Sequence, residues 1–334
     1  MKRLMLKTIA AAVVLAAFGV ASAQDIKERT IKFTTQNPKG HPLVMGMEKF
    51  AEVVTAKSGG KIKVNLFPGG VLGGDAAVVS AIQGGTIEMA SMNSGILASQ
   101  VKDFEVFDFP FIFANGKEAD AVVDGPFGQK MHAKLEAKGL IGLTYWELGF
   151  RQITNSKRAI TKVEDVAGLK LRVIPNAINL DWTKALGANP TPLAFPEVYA
   201  AMEQGAIDGQ ENPLTVIQAN KFFEVQKHVT LTNHQYNPQS VLISKKFWDT
   251  LSATEKKILS DAAAESTVYQ RAQARAQATT ALDAVKKGGM QVTELSAAEL
   301  AKFREKMKPV IDKHGAASAE TVKELQAELA KARK

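Results

Sequence analysis

The chain has 334 residues, no cysteine and a formal net charge of +8. The missing cysteines exclude disulfide staples and thiol chemistry, and a mature chain of about 310 residues can hold two packed cores without staples. Lys2, Arg3 and Lys7 carry three of the positive charges. The remaining charge is dispersed in Lys-x-x-Glu and Lys-Lys pieces on helical patterns, which read as solvated faces and not as a nucleic-acid patch.

Residues 1–23 read as a processing signal. Lys2, Arg3 and Lys7 form a basic start, Ile9 to Val20 is an apolar run, and Ala21-Ser22-Ala23 offers small residues for cleavage, so the mature chain is expected to begin at Gln24. The run is short for a membrane span, and no cysteine follows it for lipidation. The mature protein is therefore expected to be soluble and outside the inner membrane.

The alternation of Ile31, Phe33 and Thr35 with polar neighbours predicts a strand. Gly40-His41-Pro42 opens a helix carrying Val44, Met47, Phe50 and Val54 on one face, and Gly59-Gly60 ends it. Ile62, Val64 and Leu66 predict a second strand. Pro68 to Gly74 is a glycine-rich loop, Asp75 is placed to cap a short helix, and Ile87 to Ala90 reads as a third strand. Such a βαβαβ unit predicts a parallel sheet covered on both faces. The aromatic run Phe104 to Phe113 reads as core, and Leu140 to Trp146 as another strand.

A second alternating unit begins near Phe150. Leu169, Leu171 and Val173 predict a strand, Pro190-Thr191-Pro192 a loop, Pro196 a helix start, and Ile207 to Gln210 a short strand. Val241 to Ser244 predicts a further strand. The capping boxes Ser252-x-x-Glu255 and Ser296-x-x-Glu299 open helices, the first alanine-rich and running to about Lys287. Some 30 helical residues reach roughly 45 Å, enough to cross two lobes. The expected organisation is an α/β chain in two hinged lobes: 24–149 with 238–277, and 150–237 with 278–334. Ligands in such sheets bind beyond the carboxyl ends of the strands, here those following Phe33, Met89, Trp146, Val173 and Gln210.

Arg172 alternates with Leu171 and Val173 near a strand end, where a guanidinium fork suits a carboxylate; an exposed strand arginine is the plainer alternative. Arg151 lies where the two units meet, as a ligand contact or as a structural arginine paired with a carboxylate such as Glu147. Asn212, before Pro213, offers an amide to an anion or marks an ordinary turn. Phe195 is an apolar wall or core.

Gly149-Phe-Arg-Gln-Ile-Thr-Asn155, Gly168-Leu-Lys-Leu-Arg-Val173, Phe195-Pro-Glu-Val-Tyr199 and Asp208-Gly-Gln-Glu-Asn-Pro213 occur in order. Together they strongly resemble the DctP-type extracytoplasmic receptors of tripartite ATP-independent periplasmic (TRAP) transporters, over essentially the whole mature chain. Asn189 to Phe195 and Phe222 to Lys227 are similar to the sialic-acid-binding branch. The resemblance implies a two-lobe periplasmic binding protein fold with a hinge and a long helix spanning both lobes. It implies that Arg172 pairs with a ligand carboxylate, that Arg151 and Asn212 add contacts, and that Phe195 packs on the ligand. It also implies a periplasmic location, no cofactor, no catalysis, and a membrane permease of small and large subunits as partner.

The first lobe departs from the sialic-acid pattern, which has an acid at the place of Asn93 and an asparagine near Gln36. A smaller anion is expected: a uronate or other sugar acid, a dicarboxylate or a cyclic carboxylate. Gln36, His41, Asp75, Asn93 and Trp146 are the candidates for its far end, each with an alternative as cap, turn or core residue. A receptor feeding a sensor kinase is the main rival. An exported hydrolase is disfavoured, since there is no G-x-S-x-G and the five histidines are scattered without metal-ligand spacing.

Overall fold

The protein is described by a computed structural model over residues 25–334, so the expected signal segment lies outside the described residues. The strands are β1 (Arg29–Thr35), β2 (Ile62–Phe67), β3 (Met89–Asn93), β4 (Leu140–Phe150), β5 (Gln152–Asn155), β6 (Lys170–Val173), β7 (Asn189–Pro192), β8 (Gly209–Asn212), β9 (His228–Leu231), β10 (Tyr236–Ser244) and β11 (Gln291–Glu294). They form a five-stranded sheet in the order β2-β1-β3-β10-β4 and a six-stranded sheet in the order β11-β9-β5-β8-β6-β7.

The first unit folds as its periodicity dictates. Ile31 and Phe33 are fully buried from β1, and Leu43, Met47, Phe50 and Val54 cover them from helix Pro42–Lys57. β2 and β3 pair parallel to β1 on either side. The expectation of a parallel sheet stops there, because β10 is antiparallel to both β3 and β4. β10 is also longer than the expected Val241 to Ser244. Pro238 interrupts its pattern, and the strand tolerates this proline at a register shift between Asn237 and Pro238. In the second sheet, Pro190-Thr191-Pro192 is not a loop. Asn189–Pro192 pairs parallel with β6, at the sheet edge where prolines leave no ladder partner unserved.

Two strand junctions carry the chain between the sheets. β4 passes into β5 with only Arg151 between them, and the chain returns between Leu231 and Tyr236. The junctions are bonded together, Arg151 N–H donating to the Gln235 carbonyl at 2.8 Å. A third crossing is the helix Ala253–Lys287, 35 residues long and started by the Ser252/Glu255 capping box. At about 1.5 Å per residue it extends roughly 50 Å. Its first half packs on the first sheet through Ile258, Leu259, Ala262 and Ala263, and its last turns enter the second core through Leu282 and Val285.

Gln270 of that helix braces β4 opposite the Asn237/Pro238 register shift. Its amide donates to the Glu147 carbonyl and its oxygen accepts from the Glu147 N–H, both at 2.8 Å. Helix Ala297–Ala317 packs on helix Ala177–Ala185. Helix Ala319–Ala332, expected with the second lobe, instead packs on helix Gly116–Asp124, which belongs with the first sheet. Among the described residues no helix is long and apolar enough to cross a membrane.

Candidate functional site

A cleft of about 330 Å³ lies between the two sheets. All five strand ends picked out by the carboxyl-end rule border it. β1 supplies Thr35, Gln36 and Asn37, β3 supplies Ser91 and Asn93, β4 supplies Leu148 and then Arg151, β6 leads to Ile174, and β8 ends in Asn212.

Its two arginines are equally buried and differ in what they hold. Arg151 is 1% exposed. Its Nε and Nη2 donate to the Glu211 carboxylate, Nη2 also to the Glu211 carbonyl at 2.5 Å, and Nη1 to Asn237 Oδ1 at 2.7 Å. Four of its five N–H groups are thus committed, leaving one for the cleft. The expected partner Glu147 is not the one it has. Glu147 pairs with Arg275 of the long helix at 2.8 Å, on the face of β4 opposite its neighbour Leu148, which lines the cleft.

Arg172 is 3% exposed. Nε and Nη2 donate to one acceptor, the Leu193 carbonyl, at 3.0 and 2.8 Å, and its guanidinium carbon sits 5.8 Å from the centre of the Phe195 ring. Among the described residues no carboxylate makes an ion pair with it, and three N–H groups remain. Burial lowers its pKa to about 10, opposed by Glu211 and Asp75 and reinforced by the Arg151 charge. The cleft therefore holds a desolvated cation with no counter-ion in contact.

Asn212 and Phe195 also line the cleft. The Asn212 amide donates to Gln210 Oε1 at 2.6 Å, which fixes its plane. Gln36 lines the cleft, donates to the Gly73 carbonyl at 3.0 Å and leaves its oxygen without a partner among the described residues. Asp75 borders the opening as the first residue of helix Asp75–Gly84; the cap is Gly74, not Asp75. Burial raises its pKa to about 6, with Arg172 and Gln36 opposing. Asn93 lines the cleft but is already engaged, accepting from Gly95 N–H at 3.3 Å and donating to Asp108 at 3.2 Å.

Two candidates lie elsewhere. His41 caps helix Pro42–Lys57 through Nδ1, and burial lowers its pKa to about 3. Trp146 is core, its ring 5.8 Å from that of Phe33.

Sequence reasoning missed Thr35, Asn37 and Ser91, which border the cleft from the first sheet. A signal existed for one of them: Thr35 is the polar end of the otherwise apolar inward row Ile31, Phe33. It also missed Asp108, hidden in the aromatic run. This fully buried carboxylate accepts amide bonds from Asn93, Asn176, Asn179 and Asn237 at 3.2, 2.6, 2.9 and 3.0 Å. These donors come from β3, from the start of helix Ala177–Ala185 and from β10, so Asp108 ties both sheets and the return junction together.

Glu211 is pulled two ways. Burial alone raises its pKa, but the Arg151 charge and bonds from His234 and Arg151 overcome that and hold it at about 2. A depressed carboxylate pKa contributes stability that is complete above the ordinary value near 4.5 and is lost as pH falls toward 2. Glu211→Gln leaves Arg151 buried without its counter-ion, a change costing about 3–5 kcal/mol. The variant is expected to melt several degrees lower at pH 7, with the gap to the parent closing as pH falls from 4.5 toward 2, read by circular dichroism.

Residues 33–318 match the model of the family described as bacterial extracellular solute-binding protein, family 7 (DctP). A sugar acid binding protein, DctPAm of Advenella mimigardefordensis, solved with galactonate, is 44% identical, covers 92% of this chain and 100% of that one, and superposes with a TM-score of 0.91. A TRAP periplasmic solute binding protein of Ochrobactrum anthropi, solved with its C-terminus in the ligand-binding pocket, is 56% identical over 92% and 97% of the chains, with a TM-score of 0.82. The C4-dicarboxylate-binding periplasmic protein DctP of Rhodobacter capsulatus is 37% identical over 84% of this chain and 85% of its own. With the family model spanning most of its length and its two sheets facing one anion-suited cleft, the chain belongs to the family 7 bacterial extracellular solute-binding proteins, the DctP receptors of TRAP transport.

Proposed function

We propose that the protein is a periplasmic receptor that captures a small organic-acid anion by closing its two lobes and hands it to a TRAP membrane permease. The observation that carries this reading is Arg172, a buried cation with free donors facing a cleft and no carboxylate paired to it. A ligand carboxylate supplies the missing charge in a low-dielectric setting where the attraction is strong. The galactonate held by one relative and the C4-dicarboxylates named for another support an acid as the ligand.

Binding requires no chemistry beyond placement. Asn212 and the one spare N–H of Arg151 add donors, Phe195 supplies the apolar wall, and the Arg151 and Asp108 networks fix these groups at the strand junctions. The lobes hinge at those junctions and close over the ligand, which favours the closed form by the extra contacts it makes there. The receptor is read as a monomer, with a dimer through the C-terminal helix as the alternative, presenting a loaded cleft to the small and large permease subunits.

Two outcomes are expected. Arg172→Lys keeps the charge and loses the fork, so affinity for the anion falls about 10- to 100-fold (roughly 1.4–2.8 kcal/mol) in calorimetry while the melt is unchanged. An unaltered affinity removes Arg172 from the site. At the cleft mouth, a Cβ on Gly74 meets the Ala194 side chain at 3.0 Å, although the Gly74 backbone, at φ −71°, tolerates any residue. Gly74→Val is therefore expected to prop the lobes apart. Small-angle scattering with saturating ligand should find less compaction than in the parent, and affinity should drop.

A further inference from the structure

Among the described residues, four cleft-lining side chains each have a buried atom without a partner: Thr35 Oγ1, Gln36 Oε1, Asn37 Oδ1 and Ser91 Oγ. They cluster for a structural reason. Thr35 and Ser91 sit opposite each other in the parallel β1–β3 register, so their side chains share a face, and Asn37 follows Thr35 by two residues. A buried polar atom left unpaired is costly, and folded proteins rarely leave one without a ligand or ordered water as partner. The first sheet therefore gives the cleft a polar wall of unpaired donors and acceptors.

The chemistry of those partners is constrained. Gln36 gives one amide N–H to Gly73 and turns its amide toward Asp75, so what it lacks is a donor to its oxygen. Thr35 and Ser91 hydroxyls each donate and accept. A ligand hydroxyl does both and satisfies all of these positions. A carboxylate only accepts, leaving Gln36 unserved. Charge points the same way. Of the two arginines bordering the cleft, Arg151 is neutralised by Glu211, so only Arg172 is left to balance a ligand charge. Asp75 adds a carboxyl group on the same border. One ligand carboxylate pairs with Arg172, which already feels the Asp75 charge; a second finds no free cation on this border.

Resting on the anion reading above, we infer that the cleft selects a polyhydroxy monocarboxylate of the aldonate type. Thr35, Gln36, Asn37 and Ser91 read its hydroxyls, and Asp75 rejects dicarboxylates. Asp75 thereby acts as a specificity determinant of the cleft.

The test is calorimetry on the mature chain freed of carried-over ligand, with D-galactonate, D-gluconate and D-erythronate against succinate and L-malate at pH 7.5. The inference expects at least one aldonate to bind 100-fold or more tightly than either dicarboxylate. Ser91→Ala should weaken that aldonate about 5- to 50-fold, with Thr35→Val as a second removal of a cleft hydroxyl. Asp75→Asn should narrow the aldonate-to-succinate ratio by tenfold or more. A dicarboxylate binding as tightly as the best aldonate, no aldonate binding at all, or a ratio indifferent to Asp75→Asn overturns the inference. Tight dicarboxylate binding that Arg172→Lys weakens sinks only the hydroxyl reading and leaves the anion receptor standing. Binding of uncharged galactose with no acid bound sinks both.

Discussion

The cleft depends on one unbalanced charge. Arg151 and Arg172 are both buried within one cavity, yet Glu211 neutralises the first and, among the described residues, no carboxylate in contact neutralises the second. A guanidinium removed from water is costly unless paired. The fold offsets part of that cost for Arg172 with a backbone carbonyl and an aromatic face, and leaves the rest for a ligand to relieve. Anion affinity is thus built in as an unmet requirement of the unliganded protein.

The paired arginine serves the frame. Arg151 is the single residue between β4 and β5, and its bonds reach Glu211 at the end of β8 and Asn237 in β10. Asn237 donates in turn to Asp108, which gathers amides from both sides of the cleft. His234 completes the cluster, its Nε2 3.3 Å from Glu211 and its Nδ1 2.8 Å from Thr232. Both strand junctions between the sheets meet this buried polar cluster. Fully satisfied clusters of this kind hold a unique geometry, and so the groups lining the cleft stay aligned. The long helix supports the same junction from behind, where Gln270 completes the backbone bonds of Glu147.

Much of this was legible in the sequence because it rests on periodicity and strand ends. Period-two rows placed β1, β2 and β6, the Ser252/Glu255 box placed the long helix, and the carboxyl-end rule found all five borders of the cleft. What was not legible depends on long-range pairing. Pro238 hid the first half of β10, and edge pairing turned a proline-rich loop into β7. The partner of Arg151 lies 60 positions away, and no local pattern prefers Glu211 over Glu147. His41 and Trp146 were misplaced because a polar or aromatic residue beside a cleft and one in a cap or core look alike in sequence. Asp108 was obscured by the phenylalanines around it.

The central claim, that an uncompensated buried cation makes this cleft an anion site, is tested most directly by removing charge from the ligand and nothing else. Calorimetric titration of the parent protein with D-galactonate and with galactitol, which keeps the hydroxyl-bearing carbon chain without the carboxylate, compares the two. The account predicts that the acid binds and that the alditol is weaker by a thousandfold or more, about 4 kcal/mol. Affinities within tenfold of each other would contradict it, and would mean that hydroxyl contacts rather than the Arg172 charge hold the ligand.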